Sequence, residues 1–69
     1  MKISKAIEVL KEAIGNDSEY AWGWQCNIAM SAFDEGLDRP AANRAAARFM
    51  TLLFGVDITK HEHFADTQK

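Results

Sequence analysis

Between Tyr20 and Phe33 the chain runs 14 residues without a charge, carrying two tryptophans, a cysteine, an isoleucine, a methionine and a phenylalanine. The stretch is too short to cross a bilayer, which takes roughly 20 apolar residues. It is also too apolar to face water all round. At helical spacing Trp22, Cys26, Ala29, Met30 and Phe33 form one apolar stripe, and Ala21, Trp24, Ile28 and Ala32 form another. A narrow line of Gly23, Asn27, Ser31 and then Asp34 or Glu35 runs between them. A helix apolar on most of its circumference belongs at the centre of a domain, covered by more than one neighbour.

Two flanking segments are read as those neighbours. Ile3, Ala6, Ile7, Leu10, Ala13 and Ile14 follow the i, i+3, i+4, i+7 spacing of one helical face, and Gly15 is expected to end that helix. Asn16, Asp17 and Ser18 then offer N-caps for the central helix, which stops at Gly36. Asp38 or Arg39 caps the third helix with Pro40 in its first turn, and Gly55 closes it. Its expected core face is Ala42, Ala45, Ala46, Phe49, Leu52, Leu53 and Val56, with Arg44, Arg48 and Thr51 on the polar face. The fold class is therefore all-α: one small three-helix domain with helices at about 3–14, 18–35 and 40–54, and a short irregular tail over 56–69 that is only partly ordered.

Size limits what such a domain can hide. The chain has 69 residues, and eleven of its apolar side chains are alanines that contribute little volume. Ordering costs about 1.5 kcal/mol per residue, so small scaffolds usually add disulfides, a metal or a second subunit. A single cysteine excludes an internal disulfide. Trp22, Trp24, Met50 and Phe54 exceed what two neighbouring helices are expected to cover. The reading is a homo-oligomer, most simply a two-fold dimer, with those four residues at the interface.

Charge narrows the partners. Residues 1–38 hold three lysines against seven acids, whereas residues 39–69 hold five bases against three acids. The overall balance of −2 speaks against general nucleic-acid affinity, which depends on basic side chains displacing counterions from phosphate. Glu8 interrupts the N-terminal segment where a secretory signal needs an apolar run, so a cytoplasmic protein is expected.

The chemistry-bearing residues each have a plain reading. His61 and His63 have metal-ligand character, but two histidines do not make a closed zinc site, and they read as solvated tail residues with no metal or other cofactor bound. Cys26, between Trp22 and Met30, reads as a small core hydrophobe and not as a nucleophile. Asn27 and Asn43 either set register across an interface or lie exposed. Asp34 and Glu35 at the end of helix two want basic partners, which Arg44 and Arg48 would supply as an ion-pair network. The alternative for that cluster is an anion or nucleotide pocket, with Trp22 or Trp24 stacking a ring. No phosphate loop, nucleophile elbow or metalloprotease helix is present, so no enzyme is expected.

The stretches 26–36 (CNIAMSAFDEG), 42–50 (ANRAAARFM) and 54–57 (FGVD) resemble small helical accessory proteins encoded by tailed bacteriophages and prophages. The resemblance covers about residues 20–58 and implies a small helical phage accessory protein; it supplies no catalytic or binding residues. It leads to the expectation of a non-enzymatic protein that acts by protein–protein interaction as a homo-oligomer and docks on a host or phage protein. The alternative is a protein that sequesters a small molecule or nucleotide between helices or subunits.

Overall fold

The first helix, α1 (Ile3–Asn16), runs through Gly15 and not up to it. Gly15 does not take a positive φ, and the break falls at Asp17, whose extended backbone ends α1 and starts α2 (Ser18–Asp34) at once. The Asp17 carboxylate accepts from the backbone N–H of Glu19 and Tyr20, satisfying two donors that a helix start leaves free. The glycine stop expected at position 15 is therefore displaced by an aspartate that serves two helices.

In the computed structural model, which describes residues 2–69, α2 is followed by Gly36 at φ 107° and by Asp38, whose carboxylate accepts from the Ala41 N–H at 2.8 Å. The third helix, α3 (Arg39–Phe54), begins there with Pro40 in its first turn and ends on Gly55 at φ 68°. Only glycine enters that left-handed region without strain, which is why these two positions carry it. Two short 3₁₀ turns, Ile58–Lys60 and Ala65–Gln68, complete the chain, and no strand occurs among the described residues. Among the same residues, no helix is long and apolar enough to cross a membrane.

The core lies where the C-terminal half of α1, the α2–α3 hairpin and the tail meet. Ile14, Ala21, Ala47, Met50, Phe54, Ile58 and Phe64 are buried there, with Leu10, Trp24, Ile28 and Leu53 packed around them. Three expectations are corrected by this arrangement. The core face of α3 is Ala42, Asn43, Ala46, Ala47, Met50 and Phe54, turned by about one residue from the face expected, so Ala45, Phe49 and Leu52 point outward. Met50 and Phe54, expected at an oligomer interface, are 0% and 3% exposed within a single chain. The tail is also more than an irregular end, because Ile58, Phe64 and Thr67 are buried and close the core from below. Gln68 Nε2 donates to Pro40 O at 3.1 Å and Arg44 Nη1 donates to Gln68 Oε1 at 2.9 Å, fastening the tail to the start of α3.

The α2–α3 seam is floored by small side chains, Ala21, Ala29, Ala42 and Ala46, which let the helices approach closely. Into it reaches Gln25, fully buried, whose Nε2 donates to Asn43 O at 2.9 Å and to Asn43 Oδ1 at 3.3 Å. Asn43 Nδ2 in turn donates to Arg39 O at 3.0 Å. Asn43 thus sets register within the chain, while Asn27 is exposed. Gln25 Oε1 has no partner, and an unmet buried acceptor costs about as much as one net hydrogen bond contributes. Gln25→Leu removes that unmet acceptor but leaves the buried Asn43 Oδ1 without its donor, so it is expected to destabilise the fold by about 1–3 kcal/mol while removing the register contact. Urea unfolding measures the first effect, and a second set of amide resonances reports the second. A larger loss would mean that the amide pair stabilises the hairpin more than it positions it.

Candidate functional site

Placing Gln25 against α3 leaves the first stripe of α2 uncovered. Trp22, Cys26, Met30 and Phe33 wall an open trough of about 490 Å³, with Ala42 and Asn43 of α3 on its floor. Arg39 stands among the lining residues, as do His63 and Asp66 from the tail. Met30 and Phe33 are 64% and 54% exposed, an unusual position for large apolar side chains on a chain this short. The sequence reading expected both flanks of α2 to want cover, and one flank, the Trp22–Phe33 stripe, remains open.

The trough has an aromatic end. The ring of Trp22 stacks on His61 with centroids 4.8 Å apart and planes 11° apart, and tilts against His63 at 5.9 Å. The backbone N–H of His63 donates to His61 Nδ1 at 3.2 Å, and the two imidazole centroids lie 5.3 Å apart, the rings tilted by 45°. These histidines are thus organised against the helix, His61 half-buried and His63 exposed, and do not trail freely as expected. Among the described residues no group of three or more metal-ligand side chains comes together.

Cys26 is exposed in the trough and not enclosed in the core, a correction to the sequence reading. Burial of part of its side chain pushes the thiol up from its ordinary value. A reactive cysteine needs the opposite shift, toward thiolate. Its surroundings therefore suit contact more than nucleophilic attack.

The polar cluster separates into unrelated parts. Asp34, Glu35, Arg44 and Arg48 are all exposed, and among the described residues no ion pair links the two acids to the two arginines. The expected network is absent because α3 is rotated: Arg44 and Arg48 face the tail, where they line a second cleft with Leu52, Thr59 and Phe64. Trp22 and Trp24 are half-buried elsewhere, Trp22 on His61 and Trp24 against Phe54 at 6.3 Å. A nucleotide pocket that combines these arginines with either tryptophan is therefore not formed. Beside the cleft, the Thr59 hydroxyl donates to Asp57, the main cause that holds the Asp57 carboxyl below its usual range, with Lys60 adding to it.

Gln25 is the residue that sequence reasoning passed over. Its signal was there: a long amide in the middle of an uncharged, apolar run has to find an internal partner once the run is buried. Compared with known proteins, the chain matches no family model, and no curated protein or solved structure shows significant similarity to it.

Proposed function

We propose that this chain is a non-enzymatic interaction protein that works as a two-fold dimer, the α2 trough of one copy closing on the same trough of another. The observation that carries the reading is the apolar stripe of α2, free of charge from Tyr20 to Phe33, on which Cys26, Met30 and Phe33 are exposed beside a half-buried Trp22. Antiparallel pairing of two copies would set the exposed Met30 and Phe33 of each toward the Trp22 end of the other.

The raised thiol, the lack of a nucleophile–base pair and the lack of a metal-ligand cluster among the described residues favour binding over catalysis. A lone free thiol suits the reducing cytoplasm. That the dimer then docks on a host protein is supported by the resemblance to small phage proteins alone.

Sedimentation equilibrium is expected to give a species of twice the 7.7 kDa chain mass. A short bismaleimide, reacting with the single cysteine, should trap a dimer that Cys26→Ser abolishes. A mass of 7.7 kDa at every concentration would overturn the reading.

A further inference from the structure

Away from the trough, α3 and the tail line a second, open cleft of about 440 Å³. Its composition is two-sided. Arg44 and Arg48 stand one helical turn apart at its edge, while Ala47, Leu52 and Phe64 supply an apolar wall. Phe64 and Ala47 are buried, but Leu52 is 81% exposed, a large apolar side chain with nothing over it.

The two cations are uncompensated. Arg44 donates to the neutral amide of Gln68, and the ion pairs among the described residues involve neither arginine. Guanidinium groups bind carboxylates through paired N–H donors, so the edge of the cleft is chemically suited to an acid and its wall to hydrocarbon. We propose that this cleft binds a small amphipathic monocarboxylate, its acid held by Arg44 and Arg48 and its apolar body laid along Leu52 over Phe64.

The surroundings narrow the ligand further. Thr59 lines the cleft, and its hydroxyl is committed to the Asp57 carboxylate, which places a negative charge one hydrogen bond behind the wall. Asp57 offsets part of the charge of the two arginines, so the net balance at the cleft suits a singly charged acid more than a polyanion. Neither tryptophan lines the cleft, so a nucleobase would lack a broad ring to stack on. The proposal is independent of dimerisation, because the trough shares no lining residue with this cleft.

The test is a titration of the ¹⁵N-labelled protein with octanoate, with octanol and inorganic phosphate as the tail-only and head-only controls. Saturable amide shifts are expected around Arg48, Leu52, Thr59 and Phe64, with octanol at least about tenfold weaker and phosphate alone giving no saturation. Arg48→Gln, which leaves the Arg44–Gln68 contact in place, should weaken octanoate several-fold or more. Leu52→Glu, at an exposed position, should weaken it as well without touching either arginine. Equal binding of octanol, undiminished binding by both variants, shifts centred on Met30 and Phe33, or no saturable shift would each overturn the proposal.

Discussion

Met50→Ala is expected to remove about 3 kcal/mol of folding stability, within the usual range for truncating a buried methionine. Met50 is 0% exposed, in the cluster where Ile14, Phe54, Ile58 and Phe64 converge from three parts of the chain. Deleting its thioether leaves a cavity that alanine-rich surroundings have little bulk to refill. A domain this short has on the order of 5 kcal/mol to lose, so the variant should keep only about 2 kcal/mol and unfold at a much lower urea concentration than the parent chain. Urea unfolding followed by circular dichroism measures the loss. Leu52→Ala, two residues along the same helix, provides the contrast and should stay within about 0.5 kcal/mol. Similar losses at both positions would mean that the packed face of α3 has been assigned wrongly.

The double substitution Met30→Glu, Phe33→Glu should produce the second large effect, on association and not on folding. Covering each side chain contributes about 1.5–3 kcal/mol relative to leaving it in water. In a two-fold arrangement each substitution acts twice. Two facing glutamates also add like-charge repulsion, so dimerisation should weaken about a hundredfold or more. Because both positions are exposed in the single chain, helical content should not change. Sedimentation of the variant at a concentration where the parent chain dimerises tests this directly. A variant that sediments with the parent would place the contact surface elsewhere.

Punctuation made most of the fold legible. Asp17, Asp38 and Gly55 sit where the caps were expected, and three helices follow from them. What could not be read was the rotation of α3. Its first half is mostly alanine, which carries almost no directional signal, so the facing was inferred from Phe49 and Leu52, while Asn43 could be read as a register contact or as exposed. The structure reverses this because Gln25 requires a partner inside the seam and finds it at Asn43, which swings Met50 and Phe54 inward. The tail was unreadable for a related reason. Ile58, Phe64 and Thr67 are spaced with no helical or strand period, and only the hollow left beneath α3 gives them a place. Of the candidate site, the surplus apolar surface on α2 was anticipated, whereas its residues were partly misidentified: Met30 and Phe33 are open, and Met50 and Phe54 are not.

The methyl-lined seam between α2 and α3 has a mechanical consequence. Surfaces made of alanine have little corrugation, so axial slippage of one helix along the other meets low friction, unlike a seam of interlocked leucines. Resistance to shear at that end of the seam then falls on Gln25 and its contacts to Asn43. Change at Gln25 removes both of those contacts, whereas change at Asn43 leaves the one to its backbone carbonyl.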